Sequence, residues 1–444
     1  MKIYAKTLEV ENKLFFLVGL TCTWNALIFG GVALYNYILL LWIIYHIIRH
    51  HTVLHLSDPK ARFVNFLLIS IVLSIAASVI SLPEKWIVSS IKSLVKYIFV
   101  FSTIFWLLDN KRLKDAKNYF LRGFYYGAIV QMVWGYLQFI LFFLKGIEFN
   151  TIIFGKILGI GEIGGTKIVW DSYVAAGGLT VLRMKGIGWE AANFSLTMVL
   201  GFILARSLKK SSIIKCLFVV SILLCTSRSG WVAFAAVIIA ILFKKVLIAN
   251  KNKEKRKKRY LEYLIILIFL ATAVIILGEK IFTIIMGMLH NLRSSLDTSD
   301  ARSSSSLHIS YYTNLFKMLS GENIFNILLG NGYFSAGYIA SMNIKAFSEG
   351  INNIGWNPES DFITLILGNG LLGCIGYYGF CIFGIIKHKL NDYALMIIAI
   401  VVMGITYLTI RGTWSLLIIA FSITAIQNKK TKQKKQAYNY EKES

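Results

Sequence analysis

HNLRSSLDTSDARSSSSLHISYYTNLFKMLSGENIFNILLGNGYFSAGYIASMNIKAFSEGINNIGWNPESDFITLILGNG, residues 290–370, is the longest stretch of this chain that no long apolar run crosses. A connection of that length is either functional or disordered. Its aromatic residues, helical periodicity and glycine punctuation argue that it folds. It also carries Arg293, Arg302, Glu359 and Asp361, on which the functional reading turns.

Outward from this stretch the chain is apolar in both directions. Of 444 residues, 56% are hydrophobic, 16% are charged and three are proline. The mean hydropathy is +0.64. Soluble domains carry about 25% charged residues. Apolar runs long enough to cross a ~30 Å hydrocarbon core recur along the whole length. They are continuous rather than short and alternating, so the expected fold is an all-α polytopic membrane protein and not a β-barrel. No cleavable leader is expected, because the first apolar run leads directly into a second.

The net charge of +25 falls in short basic clusters between the apolar runs. That distribution is the signature of cytoplasmic loops facing anionic lipid, and it argues against a nucleic-acid partner. Placing every basic loop inside gives spans at about 14–30, 32–48, 63–82, 86–108, 119–144, 191–206, 213–226, 230–247, 260–286, 361–386, 392–409 and 412–427. This makes about twelve spans with both termini cytoplasmic, a transmembrane domain over 1–428 and a basic tail over 429–444. Two large loops, 145–190 and 287–360, then share the outer face with the tight turns at Gly30-Gly31, Thr226–Gly230 and Arg411. Lys92 and Lys96 stand one turn apart in the fourth span; Lys96, nearer mid-span, is expected to face a cavity or partner. Cys22, Cys216, Cys225, Cys374 and Cys381 show no ligand spacing and read as small core residues.

The motifs of soluble nucleotide-binding and hydrolytic enzymes are absent, and no metal or other cofactor is expected. What stands on the outer side is a set of arginines with a few acids. Arg183, Arg228, Arg293 and Arg302 could each bind phosphate bidentately or anchor the interface. Glu190, Glu359 and Asp361 could each deprotonate an acceptor hydroxyl if buried, or complement a helix N-terminus. The outer aromatics Trp170, Trp189, Tyr311, Tyr312, Tyr333, Tyr338 and Trp356 would stack on sugars or form an interfacial belt.

Four features in order carry a resemblance. They are Arg183-x-x-Gly186…Glu190-Ala-Ala-Asn193, the turn Thr226-Ser227-Arg228-Ser229-Gly230, Arg302 followed by LLGNGYFSAG at 328–337, and Pro358-Glu359-Ser360-Asp361-Phe362…Gly370-Leu371-Leu372-Gly373. Together they resemble the superfamily of O-antigen ligases and O-antigen or capsule polymerases (Wzy-type, bactoprenol-dependent), over roughly residues 180–380. Where the ligase branch often carries histidine this chain has Glu359, which leans towards the polymerases and leaves the base open among Glu359, Asp361 and Glu190. The resemblance implies a metal-independent glycosyltransferase of the bacterial cytoplasmic membrane, working at its outer leaflet. Its substrate would be an oligosaccharide on undecaprenyl diphosphate. Its acceptor would be the sugar end of a second lipid-linked unit, with a flippase and a chain-length regulator as partners. Arg228 and Arg302, then Arg183, Arg293 and Lys96, would hold the diphosphate. Transfer to a lipid or protein acceptor is the related alternative, and a polysaccharide flippase or transporter the unrelated one. Transporters tend to repeat their halves around broken helices, and no internal repeat is visible here.

Overall fold

The computed structural model describes residues 2–424 apart from 51–61, 110–115, 250–309, 344–356 and positions 25, 30, 31, 161, 164, 165, 177, 178, 334, 389, 411 and 413. The described residues are mostly helical. The chain runs through α1 (Lys2–Cys22), α2 (Leu34–His50), α3 (Arg62–Ser81), α4 (Glu84–Asp109), α5 (Ala116–Lys145), α6 (Ala191–Ser207), α7 (Ser212–Leu224) and α8 (Arg228–Ala249). Three short helices follow, α9 (Leu315–Ser320), α10 (Ile324–Leu329) and α11 (Ala336–Asn343). The last three are α12 (Asp361–His388), α13 (Asp392–Thr406) and α14 (Trp414–Thr424).

Three of the described helices are long and apolar enough to cross a membrane: Arg62–Val79 within α3, then α5, then α12. Within α2, α6, α7, α13 and α14 lie shorter apolar helices. Helices occupy the positions of the expected segments with shifted ends, except for 260–286, which lies outside the described residues along with the tail at 429–444. The first helix shifts most. It covers residues 2–22 rather than 14–30, because the chain turns after Cys22 into a two-stranded ladder of β1 (Ile28–Phe29) and β2 (Val32–Ala33). Ala26 N donates to Ile187 O at 3.2 Å and so ties that turn to the 145–190 segment. Apolar composition carried the expected span past a real helix end.

Close backbone approach holds the bundle. A Cβ on Gly19 or Gly123 would collide with the carbonyl of Phe120 or Phe16, so α1 and α5 cross at glycine distance. Small residues at such crossings let van der Waals packing work where no hydrophobic drive between helices exists. The same principle brings α12 against α3, where a Cβ on Gly376 would stand 2.6 Å from Leu67 N. Stacked rings of Phe120 and Phe421, 4.2 Å apart, join α5 to α14. A buried pair joins α1 and α2: His46 Nδ1 lies 3.0 Å from Glu11 Oε1, both side chains being almost fully enclosed. Cys22, Cys225, Cys374 and Cys381 are buried as expected of core residues; Cys216 is exposed on α7, which corrects that reading for one of the five.

The two large connections have structure of their own. Residues 146–190 contain a π-helix (Thr151–Ile157) and two hairpins, β3 (Glu162–Ile163) with β4 (Thr166–Lys167) and β5 (Tyr173–Ala176) with β6 (Leu179–Leu182). They enclose a small core of Ala26, Phe154, Trp170 and Ile187 with Trp24, Trp134 and Trp189 against it. Trp170 is 4% exposed and Tyr333 is fully buried, and Tyr311, at 3%, is enclosed as well. These three aromatics belong to the packing and offer no open face to a sugar; Trp356 lies outside the described residues.

In the second connection α10 ends at Gly330, and the loop behind it meets a break in α12 at Gly370 (φ 65°, ψ −167°). Asn331 N donates to Leu367 O at 3.1 Å and Gly332 N to Gly368 O at 2.9 Å. The sequence Leu-Gly-Asn-Gly occurs at 329–332 and again at 367–370, and the two copies lie against each other. A Cβ on Gly370 would collide with Leu328 O, so only glycine fits there, in both space and φ.

Candidate functional site

The site is built from one polar face of α5. Gln131 and Gln138 stand seven residues apart, two turns along the same side of the helix. Gln131 Oε1 accepts from Ile187 N at 2.7 Å and Gln138 Oε1 from Lys185 N at 3.1 Å. Gln138 Nε2 donates to Asp171 Oδ1 at 2.8 Å, and Asp171 Oδ2 accepts from Thr151 N and Oγ1. Gly186, at φ +59°, turns the chain where a Cβ would strike Gln131. This lattice fixes residues 183–187 and sets Arg183 at its edge.

Arg183 is half-buried, and its Nε donates to Thr226 Oγ1 at 3.2 Å. Thr226 itself has φ 49°, so the α7–α8 turn is sharp, and it delivers Arg228 as the exposed first residue of α8. Ser227 is buried and Gly230 is packed onto Ser195 of α6. Burial pulls the Arg183 guanidinium below its usual pKa; Arg228's charge pulls the same way and Glu190 opposes it. Lys185 lies deeper, with Nζ donating to Val169 O at 2.7 Å. Burial first, then Arg183's charge, lowers its pKa to about 8.

Glu190 precedes α6 in an extended conformation (φ −131°, ψ 140°) without capping the helix through its side chain. Its Oε2 instead accepts from the phenol of Tyr407. Tyr407 lies in a short segment, residues 405–410, that bonds to several of the elements around it. Thr406 Oγ1 donates to Ser229 Oγ at 2.9 Å. Ile405 O accepts from Tyr312 Oη at 2.5 Å, and that phenol also lies 2.8 Å from Ser360 Oγ. Asp361 Oδ1 accepts from Ile410 N at 2.9 Å, and its Oδ2 accepts from Thr409 Oγ1.

The structure therefore brings Arg183, Arg228 and Glu190 together at one end of the bundle, with Tyr407 and Thr226 between them. Asp361 belongs to the same end but is fully buried, its carboxylate engaged by the 409–410 backbone and hydroxyl. Glu359 is exposed two residues earlier, near enough to buried Tyr311 to add to the upward shift that burial gives that phenol. Lys96 lies on α4, but the position of its side chain, like Arg293 and Arg302, lies outside the described residues. Among the described residues no three His, Cys, Asp or Glu side chains stand together as metal ligands.

Sequence reasoning missed Gln131, Gln138, Asp171 and the 405–410 segment. The glutamines carried a signal, two amides seven residues apart inside an apolar run. Tyr407 carried a weaker one, in an aromatic and hydroxyl-rich junction between the last two apolar runs. No family model matches the chain, nor does any curated protein or solved structure.

Proposed function

We propose that the chain is a membrane-embedded glycosyltransferase of the polysaccharide-polymerase type, acting on an oligosaccharide carried by undecaprenyl diphosphate. In this reading α1–α8, α12–α14 and the 260–286 segment make about twelve spans, with both termini cytoplasmic and both large connections at the outer leaflet. The observation that carries it is the meeting of Arg183 and Arg228 with Glu190 at one bundle end, where the 405–410 segment bonds both Glu190 and Tyr312 of the second connection.

The chemistry follows from that grouping. The bond from the anomeric carbon to the diphosphate breaks, and the leaving lipid diphosphate takes the electron pair. Two neighbouring guanidiniums suit that developing charge, and oriented cations at a leaving group supply several kcal/mol. The acceptor hydroxyl forms the new bond, and its proton passes to a carboxylate. Glu190 supports that role better than Asp361, since its carboxylate meets a phenol at a half-buried site while Asp361 is enclosed and engaged. Glu359, exposed, stands second.

The test is the surface glycan and lipid-linked intermediate profile of a strain lacking the gene, complemented with wild type or Arg228→Ala. With the variant present at wild-type level, collapse to single repeat units supports the polymerase. Full-length polymer stranded on the lipid carrier would mean transfer to a different acceptor. Single units held at the inner leaflet would overturn the reading in favour of a flippase. One observation favours that second reading: the break in α12 at Gly370, since discontinuous helices are common in carriers.

A further inference from the structure

The break in α12 lies inside a helix long and apolar enough to cross a membrane, and non-helical backbone at that depth is tolerated only where it is buried in protein or lines a polar interior. What surrounds it is polar and neutral. Ser70, Ser74 and Ser78 repeat every four residues along one face of α3, and all three are buried. Ser90 of α4 completes the strip from the other side. A Cβ on Gly332 would stand 2.8 Å from Ser78 Cβ and 3.3 Å from Ser90 Oγ, so the first Leu-Gly-Asn-Gly loop reaches the strip. Asn369, in the second, donates from Nδ2 to Ser74 Oγ at 3.3 Å. A Cβ on Gly373 would lie 3.3 Å from Ser70 Oγ and 3.4 Å from Asn369 Cγ, so Ser70 and Asn369 both pack on this glycine.

The protons of this strip are already committed. Ser70, Ser74 and Ser78 donate to Leu67 O, Ile71 O and Ile75 O at 2.7, 2.8 and 2.6 Å. Ser90 donates to Tyr333 O at 2.8 Å, and Asn331 Nδ2 is directed at Leu367 O at 3.4 Å. What is left to offer is oxygen. Asn331 and Asn369 are 1% and 0% exposed, and neither Oδ1 has a hydrogen-bond partner among the described residues. A buried carboxamide oxygen left unbonded is costly. Two of them beside serine lone pairs make an acceptor-rich lining, in which the serine hydroxyl protons and one N–H of each carboxamide are already bonded.

We propose that this junction binds a dehydrated alkali cation, held by Asn331 Oδ1, Asn369 Oδ1 and the Ser78 hydroxyl oxygen. Hard neutral oxygens are the ligands such an ion takes at an interrupted membrane helix. No carboxylate is among these ligands to neutralise a divalent ion, whose burial would cost far more. The ion would pin the loop after α10 to the broken α12, whatever reaction occurs at the arginine end.

The test uses the purified full-length chain in lipid nanodiscs. Thermal unfolding would be followed by tryptophan fluorescence in sodium, potassium or choline chloride at constant ionic strength. A ligand that binds only the folded state raises the midpoint saturably with its concentration. We expect such a rise with sodium or potassium but not with choline. It should need about tenfold more cation, or vanish, in Asn369→Ala and in Asn331→Ala. Asn369→Asp adds a charge to the ligand set and should move half-saturation to lower cation. Identical curves in the three salts, or an undiminished rise in the doubly substituted chain, would overturn the site. Equilibrium dialysis of wild type with radioactive sodium and potassium needs no variant to fold: one ion per chain supports the site, and none for either ion overturns it.

Discussion

At the scale of single residues, the two acids at the bundle end are held in opposite ways, and that separates their roles. Asp361 accepts from Ile410 N and Thr409 Oγ1 in full burial, so Asp361→Ala strands two buried donors. Each stranded group costs about 1–3 kcal/mol. The expected result is a lowered unfolding midpoint and less protein in the membrane, measured by thermal scan and immunoblot. Glu190→Gln keeps an oxygen facing Tyr407 and should leave the midpoint unchanged, while polymer formation falls by about 10²–10⁴-fold if the carboxylate takes the acceptor proton. Equal polymer from both proteins would remove Glu190 from that role. Lys185 gives a pH signature. Burial sets its folded pKa at about 8, below the 10.5 of an ordinary lysine. Between those values the unfolded chain holds a proton that the folded chain has released, so stability rises with pH across about 8 to 10.5. Lys185→Met should flatten that slope in unfolding scans taken at a series of pH values. Arg183, Glu190 and Arg228 were legible because each falls in a short local motif. Tyr407 was not, because its importance comes from a contact with a residue 217 positions earlier.

At the scale of elements, glycine decides where helices touch and where one breaks. Gly123 lets α5 lie on the carbonyl of Phe16, so Gly123→Leu must push α1 away. Overpacking of this kind costs about 1–3 kcal/mol, and the expected readout is a lower unfolding midpoint with no change in the alkali-ion dependence. Gly370→Ala is a harsher change. It places a Cβ at φ 65° and against Leu328 O, and it should separate the two Leu-Gly-Asn-Gly loops. An unfolding midpoint and cation response both equal to wild type would mean that the break does not hold this junction. The first loop was plain in the sequence as glycine punctuation, while the second fell inside the expected span at 361–386. Their pairing was not legible, because a run of apolar residues with two glycines reads as a continuous span until the partner loop is seen to take up the Leu367 and Gly368 carbonyls.

At the scale of the molecule, the helical class and most helix positions followed from apolar run length alone, since length and hydropathy are what a hydrocarbon slab selects. The first helix did not, because its N-terminal half is polar and its apolar continuation folds into β1 and β2. Sidedness rests on the basic loops and is the step on which an outer-leaflet site depends. The contacts of α6 give it a direct test. One end of this helix lies by Glu190 and Tyr407; near the other, Arg206 Nε faces Asp392 Oδ1 at 3.6 Å, in an ion pair with the start of α13. The two ends belong on opposite sides of the membrane if α6 spans it. Exposed Ile157 marks the connection before α6, and exposed Ser207 its far end. In a chain whose one exposed described cysteine is removed by Cys216→Ser, the substitutions Ile157→Cys and Ser207→Cys would be labelled with a membrane-impermeant maleimide. Ile157→Cys should react in intact cells and Ser207→Cys only after permeabilisation. The reverse pattern would turn the arginine end to the cytoplasm, where an outer-leaflet polymerase has no substrate. Labelling of both in intact cells would mean that α6 does not cross at all, and the twelve-span reading would fall with it.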